Sequence, residues 1–368
     1  MVKGAFHRAG LGARWLANSP RRNALGMRTM EIRTVIDIGA NTGQFARCDR
    51  SILPAVGDRT PRGWVVPEDG LTEKIKKPLR WLLYRPYLKV INPILERQYD
   101  PARRLGVNQW YWGYRGFEYQ SLRARLNRHR AIRGSSVLVV GCGTGRDIGS
   151  WMAYRPDRLV GIDLFSYTTA WELLKTKYGP ALSFVQGDIS NLSNVKDNMF
   201  DIIGSDHVFE HVANLPDALR EFYRVLKVDG ILYAAFGPLW HCFGGDHISG
   251  YDTIANGYNH LLLERQDYLR YLAKAGDFAH SEDDGRTWVE NGLFSYLKIW
   301  EYLCLLRDAG FTVMHLGIVL DPRGIKCLTA NAAVRGQLLT LAEELDLIAT
   351  SMCVIAGKAA DRGLQRLR

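Results

Sequence analysis

The chain has 368 residues with 48 Lys and Arg against 38 Asp and Glu, a formal net charge of +10. Hydrophobic residues make up 47% and charged residues 23%, a soluble globular composition that excludes a disordered, collagen-like or disulfide-scaffold protein. The charge is divided, at +16 over residues 1–133 and −6 over the remainder, so the basic character belongs to the N-terminal third alone.

Residues 1–33 are basic and only sparsely apolar. A strand-like run at 34–38 then leads into Gly39-Ala-Asn-Thr-Gly43. A strand entering a glycine turn marks a nucleotide site when a complete βαβ unit follows. Here the chain continues as SILPAVGDRTPRG, without the next apolar strand, and the unit looks cut off near Cys48. Residues 51–70 read as linker. Residues 73–98 mix Lys and Arg with Trp81, Leu82, Leu83, Tyr84, Tyr87 and Ile91, and Pro78, Pro86 and Pro93 break them into short helical pieces. A helix is expected over 116–129, where Phe117, Leu122 and Leu126 recur among arginines.

From Ser136 onward apolar strands alternate with helical segments. Strands are expected at 137–140, 158–162, 182–186, 200–204, 231–236, 311–318 and 352–356, with helices at 146–154, 167–177, 215–225 and 295–309. This order predicts an α/β fold, a doubly wound, Rossmann-like, mostly parallel seven-stranded sheet. It follows an N-terminal helical or irregular extension and is interrupted after the fifth strand by an insertion at about 239–290 rich in His and aromatic residues. The expected organisation is a fragment at 1–50, a basic linker and helical extension at 51–133, and a catalytic domain at 134–368. Six scattered cysteines without a CxxC pair argue for reduced thiols and against a zinc or redox motif. With no run of about 18 apolar residues and no secretory h-region, the cytoplasm is the expected location.

The first strand and its turn, VLVVGCGTGRD, place Gly141, Gly143 and Gly145 at GxGxG spacing, where absent Cβ atoms let the backbone turn and a ligand approach. Eighteen residues on, the second strand ends at Asp163, a carboxylate suited to both hydroxyls of an adenosine ribose. The third ends FVQGDISNL, with Asp188 at the expected adenine edge and Ile189 able to cover the ring. FDIIGSDHVFEHV and LREFYRVLKVDGILYAAF supply the next strand, a polar turn, a helix and a fifth strand. In this order the motifs resemble those of the class I S-adenosylmethionine-dependent methyltransferases, in particular the small-molecule, methyltransferase type 11-like group. The resemblance is strong over 136–237 and looser over 300–356. It implies S-adenosylmethionine as cofactor, with Gly141, Gly143 and Gly145 around its methionine part, Asp163 on the ribose, Asp188 near adenine, and Ser205 to His207 beside the methyl group. A dehydrogenase, the runner-up for this fold, lacks the third-strand Asp and the EHV block. Separately, VIDIGANTGQFAR (35–47) resembles the opening motif of the FkbM methyltransferase family, truncated after its first turn.

Methylation of a hydroxyl requires its proton to leave, and His is the suitable base near neutral pH. His207 and His247 are the preferred candidates, with His211, His241 and His260 behind them. The run WHCFGGDHISGYD also contains Asp246 and Asp252, but spacing in a glycine-rich loop does not make a metal centre, and none is expected. The absence of an Asn-Pro-Pro-Tyr-type turn disfavours adenine amines. The aromatic insertion suits a glycolipid, saccharide or polyketide- or lipid-type hydroxyl. The basic N-terminal third leaves three alternatives open: peripheral membrane contact through 73–98, nucleic-acid binding, which the lack of a recognised motif disfavours, and a non-catalytic role.

Overall fold

The structure, a computed structural model, describes residues 57–67, 86, 90, 93–94, 106–113, 119–275, 288–289 and 291–358. The FkbM-like motif at 35–47 lies outside the described residues, as does nearly all of the segment 73–98. Among the described residues no helix is long and apolar enough to cross a membrane.

The strands are β1 (Gln109–Trp112), β2 (Ser136–Val140), β3 (Arg158–Asp163), β4 (Leu182–Gln186), β5 (Phe200–Asp206), β6 (Leu226–Phe236), β7 (Phe311–Leu320) and β8 (Ala349–Lys358). They form one sheet in the order β1-β7-β8-β6-β5-β2-β3-β4, parallel except where β8 runs antiparallel between β6 and β7. The architecture is the expected α/β one, with eight strands instead of seven. The added strand is β1, a four-residue QWYW run that pairs with β7 at the sheet edge. So short a segment carries little periodicity, yet it buries Trp110 and Tyr111 completely or nearly so. At about 1.5–3 kcal/mol for each large side chain taken from water, that burial anchors a segment expected to be linker.

The central strands are apolar on both faces, as a covered parallel sheet requires. In β2 alternate residues feed two separate cores, Leu138 and Val140 one, Val137 and Val139 the other. The first core is covered by α4 (Leu215–Val225), α7 (Ile299–Asp308), α8 (Pro322–Ala330), α9 (Ala332–Leu341) and α10 (Glu344–Ile348). α4 shows the helical rule plainly: Leu215, Ala218, Leu219, Phe222 and Val225 are its buried residues, and Pro216 occupies the first turn where no donor is lost. The second core is covered by α1 (Tyr119–His129), α2 (Ile148–Met152) and α3 (Thr168–Tyr178). α1 therefore belongs to the body of the fold, through Leu122 and Leu126. α8 and α9, which the sequence reading leaves without elements, start at side-chain caps: Asp321 accepts from the Arg323 amide, and Asn331 from those of Ala333 and Val334.

Between β6 and α7 lies the long expected insertion, whose described residues include the helices α5 (Asn259–Leu262) and α6 (Arg265–Ala275) and a small core around Trp240, Ile248, Tyr268, Leu272, Val289 and Phe294. Residues 57–67 run along the outside of α3. There Asp58 accepts from the amide and hydroxyl of Thr169, and Trp64 and Val66 pack against the second core.

Candidate active site

From β2 the chain moves outward to β3 and β4, then returns to lay β5 and β6 on the other side of β2. The crevice where the order reverses, beyond the C-terminal ends of β2 and β5, is where open α/β sheets bind ligands. Val140 pairs with Ser205 across it.

The β2 wall is backbone. Gly141, Gly143 and Gly145 all have positive φ, at 64°, 49° and 83°. Their surroundings differ. A Cβ on Gly141 would lie 2.2 Å from Val208 Cγ2, and one on Gly145 2.3 Å from Leu174 Cδ1, so these two are glycines because protein packs against them. A Cβ on Gly143 would meet nothing within 4 Å. Its open face is the part of the loop left for a ligand. The loop is pinned by Trp171 Nε1–H, which donates to the Gly143 carbonyl at 2.8 Å, and by the Gly143 amide, which donates to Asp163 Oδ2 at 2.7 Å.

Asp163, at the end of β3, also accepts from the Phe165 amide through Oδ1 at 2.9 Å. Burial pushes its carboxyl above the usual carboxylate range, opposed by the two amides and by the Arg59 guanidinium, which lies 3.8 Å over the Phe165 ring. Each carboxylate oxygen has a second acceptor direction, so Asp163 can hold the loop and still receive a diol. The Gly187 amide donates to the Asp163 carbonyl, bringing the end of β4 alongside. Asp188 follows and closes a turn by accepting from the Ser190 amide and hydroxyl, both at 2.8 Å, and Ile189 is buried in the core beside it.

The β5 wall is made of side chains. Ser205 is fully buried, and its Oγ has no hydrogen-bond partner among the described residues. His207 has φ 56° and projects a side chain that is 40% exposed. Its Nδ1 lies 3.1 Å from the Gly237 carbonyl. A carbonyl only accepts, so Nδ1 donates to it, and in the neutral ring this leaves Nε2 as the acceptor nitrogen. Glu210 is buried behind it, with Oε1 3.9 Å from His207 Nδ1 and accepting from the Gly237 amide at 2.8 Å, while Oε2 has no partner among the described residues. Burial pushes the Glu210 carboxyl up to about 7, opposed by His207 and the Gly237 amide.

His211 donates from Nδ1 to the Leu293 carbonyl at 2.9 Å and stacks on Trp288 with ring centroids 4.4 Å apart. Burial, with His247 and His207 nearby, holds it well below the ordinary histidine range, so it is neutral. His247 comes within 4.9 Å of the His211 ring and 5.8 Å of Phe294. The insertion thus brings an aromatic wall against the end of β5.

The other two histidines go elsewhere. His260 is buried with Nε2 on the Trp240 carbonyl and Nδ1 3.8 Å from Asp246. Burial, with Lys298 and His260 nearby, presses His241 down to about 3. Asp246 accepts from the amides of Ile248 and Ser249, the Ser249 hydroxyl and the Tyr268 hydroxyl, so it staples the insertion together. Asp252 accepts from Asn256 and Tyr271. No three metal-ligating side chains converge among the described residues.

Sequence reasoning missed Trp171, Glu210 and the buried cluster in which Arg123, Asp147 and Tyr233 gather around Asp206. Leu122, Arg123 and Leu126 are all buried on α1, and an arginine three residues from a core leucine on an amphipathic helix is the one signal that was present.

Residues 138–234, from β2 to within β6, match the family model described as "Methyltransferase domain". The chain carries a methyltransferase domain. The cofactor that such a domain implies is S-adenosylmethionine, and the residues at the strand ends fit that group: the open face of Gly143 after β2, the buried carboxylate of Asp163 at the end of β3, and the buried Ser205 hydroxyl in β5, without a partner among the described residues. The chain is 37% identical over 101 residues to an uncharacterised 37.1 kDa transposon protein of Streptomyces fradiae, covering 27% of this chain and 29% of that protein. It is 23% identical over 252 residues to a sterol 24-C-methyltransferase of Aspergillus fumigatus, covering 61% and 66%. It is 25% identical over 182 residues to the malonyl-[acyl-carrier protein] O-methyltransferase of Pectobacterium atrosepticum, covering 44% and 68%. The chain thus spans less than two thirds of the first two of these relatives.

Proposed function

We propose that this protein is an S-adenosylmethionine-dependent methyltransferase that O-methylates a hydroxyl on a glycolipid, saccharide or polyketide- or lipid-type small molecule. The carrying observation is the opposition, across one switch-point crevice, of a backbone cradle at Gly143 and a histidine of defined tautomer at His207. The domain match supports the reaction class. Relatives named for a sterol and for malonyl-acyl-carrier protein support an acceptor of lipid type.

When bound, the cofactor supplies an activated methyl group. The chain aligns and desolvates the partners. Asp163 would hold the ribose and Gly141, Gly143 and Gly145 the methionine part, with Asp188 and Ile189 at the adenine and Ser205 beside the crevice floor. His207 Nε2 accepts the proton of the attacking hydroxyl. Gly237 keeps the ring in the required tautomer, with the Glu210 carboxyl 3.9 Å from Nδ1. His247 closes the aromatic wall through His211 and holds the acceptor instead of deprotonating it.

Titration calorimetry of the full chain with S-adenosylmethionine, alongside Asp163→Ala, tests the reading. Micromolar-range binding by the wild type and a roughly 10-fold or greater loss in the variant, the scale of a hydrogen-bonded charged group, is the expected result. A wild type with no detectable binding refutes it.

A further inference from the structure

The Arg123 side chain is fully buried, and it comes from α1, ahead of the segment that matches the methyltransferase model. Its guanidinium forms an ion pair with Asp206 and lies 3.4 Å from Asp147 Oδ2. It rests 3.8 Å over the Trp151 ring and 4.8 Å from that of Tyr233. The two rings are wired to the same acids: Trp151 Nε1–H donates to Asp147 at 3.2 Å, and the Tyr233 hydroxyl donates to Asp206 at 2.8 Å.

The two carboxylates occupy opposite walls of the crevice. Asp147 is two residues past Gly145 and ends the glycine loop, whereas Asp206 stands between Ser205 and His207 at the end of β5. Two buried acids facing one another repel unless a cation or a proton lies between them. Burial and the Asp206 charge push Asp147 up to about 7, and the guanidinium opposes both. Arginine's planar fork suits one group that must serve two carboxylates.

Resting on the proposed cofactor reading, we infer that Arg123 is a positioning residue: it ties the glycine loop to the end of β5 from beneath the sheet, and this tie sets the width of the crevice that receives S-adenosylmethionine. The binding geometry of this chain therefore depends on a helix upstream of its glycine loop, as its core does.

The test compares S-adenosylmethionine affinity with thermal stability in the full-length protein. Arg123→Lys keeps a buried cation but reaches one carboxylate only, and an affinity loss of about tenfold with a melting temperature close to wild type is expected. The triple variant Arg123→Met, Asp147→Asn, Asp206→Asn removes the buried charges, so stability recovers relative to Arg123→Met alone while affinity stays low. Wild-type affinity in Arg123→Lys, or full recovery of affinity in the triple variant, overturns the inference and leaves the cofactor reading standing. Absence of binding by the wild type overturns both.

Discussion

The two walls of the crevice are built on different principles. The β2 wall offers backbone: three left-handed glycines, amides and one carboxylate that organises them. The β5 wall offers side chains: the Ser205 hydroxyl, which has no partner among the described residues, and His207, Glu210 and His211, which are hydrogen-bonded to Gly237 and Leu293 from later in the chain. A backbone wall has few tolerated sequences and so is recognisable anywhere, whereas a side-chain wall can be rebuilt for a new acceptor without disturbing the cradle opposite.

The sharpest way to break this contrast is at the glycines themselves. Gly141→Ala combines left-handed strain with a collision at Val208, and a loss of about 2–4 kcal/mol in denaturant unfolding is expected. Gly143→Ala has open space around it, so its stability cost is limited to the strain of about 1–2 kcal/mol, yet cofactor affinity measured by calorimetry falls at least about tenfold. Equal stability losses at the two positions would erase the distinction between a packed and a ligand-facing glycine.

On the opposite wall, His207→Ala should lower the transfer of labelled methyl into a lipid extract by about 10²–10⁴-fold and leave cofactor affinity within about twofold. Loss of both together would place His207 with the cofactor instead of the acceptor.

Glu210 allows a pH measurement. Its carboxyl rises on folding from an ordinary 4.5 to about 7, so the folded state holds a proton that the unfolded chain has released. Its contribution is therefore fully present below about pH 4.5 and is lost as pH rises towards 7. Glu210→Gln keeps an acceptor for the Gly237 amide and removes this dependence, so the variant should gain on the wild type in urea unfolding between pH 5 and 7.5. A constant difference across that range would show that Glu210 is not a proton-holding group. The smallest effect is expected at Trp288→Leu, where loss of the ring stacked on His211 raises the acceptor KM by about 2–10-fold with cofactor affinity unchanged.

Much of this was legible in the sequence. The seven strands expected from apolar runs are all present, and the glycines, Asp163, Asp188 and His207 stand at the strand ends where the motifs put them. Three parts were not legible. β1 is four residues long, too short for a period to show. α8 to α10 fill a stretch between β7 and β8 where the sequence reading places no element. His247 and His260 look alike in one histidine-rich insertion, yet one joins His211 and the other is absorbed beside Asp246.

What the sequence determined by itself is whatever depends on backbone geometry and short-range periodicity: the alternation of strand and helix, and a turn that only glycine can make, because these requirements are met within a few residues of chain. The tertiary structure alone decided protonation, partnership and purpose. Arg123 finds its carboxylates 24 and 83 residues away, and Glu210 owes its raised carboxyl to burial that no neighbour in sequence supplies. Electrostatic energies follow distance and desolvation in space, and only folding sets those.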